Sequence, residues 1–93
     1  MTVIGLKLDL YLPGVTSLKE KRRLIKSLLD KIDNKYNVAI AEIDSQDLWQ
    51  RSMIGIVSVS NSRKPIERTF TSLIELVDQK SGIELMKTER IYY

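Results

Sequence analysis

From Val3 to Leu12 every second residue is a large aliphatic: Ile4, Leu6, Leu8, Leu10 and Leu12 fall on one side, and Val3, Gly5, Lys7, Asp9 and Tyr11 on the other. A period of two is that of a strand buried on one face. Pro13-Gly14 ends it, because proline has no N–H for a ladder and glycine admits the positive φ of a tight turn. The period then lengthens, and Leu18, Ile25, Leu28, Leu29, Ile32 and Tyr36 recur at three- and four-residue spacing. That is one apolar stripe along a helix. Ser17 followed by Glu20 is a capping-box pattern, so the helix is predicted to start just after Ser17. Its stop lies within Asn34–Asn37, with Lys35 well placed beside the carbonyl end.

Val38–Asp44 (VAIAEID) reads as a second strand and Arg51–Ser60 (RSMIGIVSVS) as a third, joined by the polar segment Ser45–Gln50. Two strands with a short connection predict a hairpin. Asn61 or Ser62 caps a second helix with Pro65 in its first turn, where a missing amide costs nothing. Ile66, Phe70, Leu73, Ile74 and Val77 are its apolar stripe, Ser81-Gly82 its stop, and Ile83–Ile91 a last, weaker strand. The order is β-α-β-β-α-β, the ferredoxin-like α+β pattern, expected to fold as one domain over residues 1–93. It predicts a four-stranded antiparallel sheet in spatial order 4-1-3-2 with both helices on one face. In that topology Pro13–Arg23 and Asp44–Arg51 meet at one end of the sheet.

Composition narrows the chemistry. There is no Cys, hence no disulfide, thiolate nucleophile or Cys metal site, and no His, the commonest general base and transition-metal ligand. The four glycines form no phosphate-cradling loop. No stretch is long and apolar enough for a membrane span, and the first residues do not read as a secretory signal, so a cytoplasmic location is expected. No metal or cofactor is expected. Glu42, Asp44 and Asp47 are the acids a hard cation would use, a scattered set.

The charge is +3, and its placement matters more than its sum. Between Ser17 and Lys35 seven basic residues (Lys19, Lys21, Arg22, Arg23, Lys26, Lys31, Lys35) face three acids (Glu20, Asp30, Asp33). Lys19, Lys21, Arg22, Arg23 and Lys26 are read as a surface for phosphates, against the plainer alternative of a solvated helix face. Positive charge in a first helical turn opposes the macrodipole, a cost that a solvated face gains nothing by accepting. In the hairpin, Trp49 and Arg51 supply stacking or anchoring, and Asp44, Asp47 and Gln50 complete the candidate site. The alternative there is that Trp49 covers the core while Asp47 and Arg51 pair with each other.

The segments SLKEKRR after a PG turn, AEID followed by DLWQR, and a strand ending SVSN resemble the YlxP-like family of small bacterial proteins. The matching residues are Ser17, Leu18, Lys19, Lys21, Arg22, Asp44, Asp47, Leu48, Trp49, Gln50 and Arg51. The family's function is not established. The resemblance implies a ferredoxin-like fold and, because its members often sit among translation and ribosome-maturation genes, an association with RNA or the ribosome.

RNA-recognition modules of this topology place aromatics on the two central strands. Here those positions hold Val3, Gly5 and Lys7 with Met53, Gly55, Val57 and Val59, so the stacking platform is missing. A mildly apolar open face suits a second copy of the chain, and a homodimer centred on Met53, Val57 and Val59 is expected. The expected function is therefore a non-enzymatic module that binds RNA or the ribosome through the first helix and the adjoining hairpin. The alternative is a protein-interaction scaffold working through the sheet and Trp49. Third comes a small phosphate-handling enzyme, for which Gly14-Val15 with Arg22 are faintly similar to the acylphosphatase loop.

Overall fold

The computed structural model describes residues 1–93. The elements are β1 (Thr2–Tyr11), α1 (Leu18–Lys35), β2 (Ala39–Asp44), β3 (Arg51–Ser60), α2 (Arg63–Asp78) and β4 (Glu84–Tyr92). The strands form one antiparallel sheet in the order β2-β3-β1-β4, the expected arrangement read from its other edge. Boundaries differ from the sequence reading by one residue at β1, at the start of β2 and at β4. Leu12, for instance, lies past the end of β1, although its amide still reaches the Gln50 carbonyl at 2.9 Å.

The two periodicities meet in one core. Ile4, Leu6, Leu8, Leu10 and Leu12 of the first strand and its exit, with Ile54 and Ile56 of β3, are closed to solvent by Ile25, Leu28 and Ile32 of α1 and Ile66, Phe70, Leu73 and Val77 of α2. Burying each such side chain is worth about 1.5–3 kcal/mol relative to exposure. Both helices lie on this face. Leu29, Tyr36 and Ile74, which the stripes also included, are only half-buried at the margin of the core.

The ends of the helices are set by local chemistry. Ser17 caps α1 with extended backbone and its hydroxyl accepts the Glu20 amide at 3.1 Å. Ser62 caps α2 by position only, since its side chain makes no capping bond. After α2 the chain turns at Gly82, whose φ of +86° suits glycine, and a Cβ there would sit 3.6 Å from Leu24.

Strand direction brings three loops to one end of the sheet: the β1–α1 turn, the β2–β3 hairpin and the α2–β4 turn. Residues 35 and 37 positions apart are bonded there. The Gln50 side-chain amide donates to the carbonyls of Val15 at 3.0 Å and Pro13 at 3.3 Å. The predicted meeting of turn and hairpin is present.

Candidate nucleic-acid interface

The turn after β1 spends its own donors. The Val15 amide bonds to Leu12 O, the Thr16 amide and hydroxyl both donate to one Glu20 carboxylate oxygen at 2.7 Å, and the Lys21 amide bonds to Ser17 O. Glu20 thus bonds chiefly Thr16, one residue before the expected box partner, with the Ser17 amide a lesser contributor at the same carboxylate. These bonds, first the Thr16 amide and then its hydroxyl, with the Arg23 charge nearby, hold the Glu20 carboxyl below the ordinary carboxylate range. The Val15, Thr16, Glu20 and Lys21 amides of this turn are therefore bonded within the chain.

Lys21 is not part of an exposed cationic surface. Its side chain is 1% exposed, and its ammonium donates to the carbonyl of Ser45, to the carbonyl of Gln46 at 3.2 Å and to the Glu42 carboxylate at 3.0 Å. Three N–H donors meet three acceptors, the condition under which a buried ammonium is tolerated. Lys21 lies four residues before Ile25 and seven before Leu28, on the apolar stripe, and that phase carries it inward beneath the hairpin. Glu42 stands two residues past Ile40 in β2 and so shares its inward face; it also accepts from Ser52 Oγ at 2.6 Å. A cation site built on Glu42, Asp44 and Asp47 is not assembled, because Glu42 is committed to Lys21.

The hairpin is fixed by these bonds. Ser45 takes a left-handed φ of 64°, its amide donates to Asp44 Oδ1 at 2.7 Å, and Leu48 N closes the turn on Ser45 O at 3.1 Å. Asp44 and Asp47 pair with no basic side chain, so neither draws the helix in. Arg51 pairs with Asp9, its Nη2 donating to both carboxylate oxygens at 3.0 Å, rather than with Asp47. The cause is register. Arg51 stands opposite Tyr11 on β1, and Asp9 is two residues along on the same open face. Trp49 does not cover the core: it and Leu48 are each 53% exposed, and with Asp47, Gln50 and Arg51 they line a shallow recess of about 450 Å³.

What remains of the basic surface is Lys19, Arg22, Arg23 and Lys26, all exposed. Their spacing of three and four residues makes them neighbours on the outward side of α1. Lys26 bonds Asp30 at 2.7 Å with both side chains largely in water, a pair that leaves the ammonium accessible. The other three form no salt bridge. Apart from these four and the buried Lys21, the helices and the turns flanking them carry six basic and six acidic residues, so the positive surplus of this layer lies in the cluster itself.

The opposite face of the sheet is apolar at one end and charged at the other. Val57 and Val59 are exposed and Met53 half-buried. Gly5 and Gly55 floor a groove of about 360 Å³. Tyr93 lies over Gly5, whose Cβ would meet its ring at 3.3 Å, and Ile43 lies over Gly55, whose Cβ would meet it at 2.9 Å. Neither wall residue was among those singled out from the sequence. Ile43 stands at a β-bulge between Glu42 and Asp44, which the alternation of β2 does not reveal.

No helix is long and apolar enough to cross a membrane. Over 68 residues, 73% of this chain and 74% of the relative, the sequence is 44% identical to a protein of Bacillus subtilis (strain 168) named "Uncharacterized protein YlxP", so the resemblance seen in DLWQR and SLKEKRR holds for most of the chain. The family model described as "Protein of unknown function (DUF503)" matches residues 3–90, and the chain belongs to that family.

Proposed function

We propose that the protein is a non-enzymatic binding module of the cytoplasm that engages RNA or a ribonucleoprotein particle through the outer side of α1 and the adjoining hairpin. The observation that carries this reading is the cluster Lys19, Arg22, Arg23 and Lys26, in which like charges stand at adjacent helical positions and Asp30 bonds only the last. Each such like-charge pair costs the helix about 0.2–0.5 kcal/mol, a cost with no structural return. A polyanion converts it into affinity through counterion release. Lys21 and Arg51 serve differently from the exposed cations, Lys21 holding the hairpin and Arg51 being held by Asp9. Binding of the purified protein to ribosomal RNA and to ribosomal subunits, at low and physiological salt, tests the reading, with salt-sensitive binding as the supporting result.

A second reading concerns the open sheet. Its groove, with exposed Val57 and Val59 beside it, favours self-association through this face, with Met53 toward the charged end. The two surfaces lie on different faces of the molecule, so a dimer of this kind leaves both copies of α1 exposed.

A further inference from the structure

Resting on the RNA reading above, we infer that the hairpin takes an unpaired base, stacked on Trp49, while α1 holds the neighbouring phosphates, so that the preferred RNA is single-stranded or looped rather than duplex. The indole is 53% exposed, yet the backbone that carries it is tied down on every side. Leu48 N bonds Ser45 O, Lys21 holds the carbonyls of Ser45 and Gln46, Gln50 bonds across to Pro13 and Val15, and Arg51 is fixed by Asp9. An aromatic ring presented from an ordered backbone gives stacking area at small entropic cost. The charges around it decide what it meets. Asp44 and Asp47 are exposed acids that pair with no basic side chain, so a phosphate is disfavoured there and a neutral base is not. The phosphates belong on Lys19, Arg22 and Arg23, beside the point where Lys21 joins helix to hairpin. In an A-form duplex the bases are stacked on one another and closed to an indole, so only an unpaired base satisfies both sites together.

Trp49 is the only tryptophan in the chain, so its emission reports this site alone. The full chain is titrated with an unstructured oligouridylate of about a dozen nucleotides and with a blunt RNA duplex of equal phosphate content, and binding is followed independently by anisotropy of labelled RNA. The single strand should quench Trp49 in step with anisotropy and the duplex should not. Trp49→Ala should weaken single-strand binding about ten-fold and leave duplex binding unchanged, while Trp49→Phe restores most of the loss. Binding without a change in Trp49 emission, or an unaffected Trp49→Ala variant, overturns the stacking inference and leaves the phosphate reading of α1 standing. Absence of binding by either RNA overturns both.

Discussion

The ammonium of Lys21 lies 3.0 Å from the Glu42 carboxylate, with 1% of the lysine side chain and 20% of the glutamate side chain exposed. This contact joins the first turn of α1 to the strand that leads into the hairpin, and the two hairpin carbonyls on the same ammonium make it a clamp. Lys21→Met should destabilise the fold by about 3 kcal/mol in urea denaturation, because it leaves Glu42 without its cation and two carbonyls without a donor. Combined with Glu42→Gln the losses should fall short of additive by about 1 kcal/mol or more. Simple additivity would mean that the two side chains do not act as a pair.

Arg51 and Asp9 form a pair of a different kind, with 48% and 25% of their side chains in water. Asp9→Asn should change stability by less than about 1 kcal/mol. It also releases a guanidinium beside Trp49, so RNA affinity should rise several-fold at low salt and the salt dependence should steepen, as an added phosphate contact requires. Unchanged affinity and salt dependence in this variant would place the RNA away from the hairpin.

Glu20 gives the fold a pH dependence of known sign. Its folded-state value is below the ordinary one, so its contribution is present above the ordinary carboxylate range and is lost as pH falls through the lowered value. Glu20→Gln should therefore be less stable than the parent near neutral pH, and the two denaturation midpoints should converge on acidification through the lowered carboxyl value. A constant gap across that range would assign the effect to packing instead.

Self-association through the sheet predicts a concentration-dependent increase in sedimentation coefficient that Val57→Lys abolishes. Val57 is 39% exposed, so the monomer should keep its stability within about 0.5 kcal/mol. An unchanged sedimentation profile in the variant would remove this face from the interface.

The architecture was legible because its two periodicities are clean. Ile4 to Leu12 alternate without a break, Ile25, Leu28 and Ile32 share one helical phase, and the topology then forces Gln50 against Pro13 and Val15. The site is less legible because a run of charge carries no phase of its own. Lys21 resembles its basic neighbours in composition, and only its position relative to Ile25 and Leu28, with Glu42 on the same strand face as Ile40, marks an inward cation and an inward acid. Asp9 and Arg51 needed the β1–β3 register, which strand patterns leave open. The groove walls needed more still: a bulge turns Ile43 over Gly55, and the carboxy-terminal Tyr93 folds back over Gly5. Local periodicity encodes neither.

The central claim is that the outer side of α1 is a phosphate-binding surface, and the double variant Arg22→Glu/Arg23→Glu tests it most directly. Both side chains are exposed and form no salt bridge, so the fold should survive, as circular dichroism and urea denaturation can verify. The account predicts that binding to ribosomal RNA at low salt is lost, and that the parent's binding falls on a log–log plot against salt with a slope of about −0.7 for each phosphate engaged. Equal affinity of parent and variant for RNA at low salt would contradict it and would leave the basic helix as a solvated face.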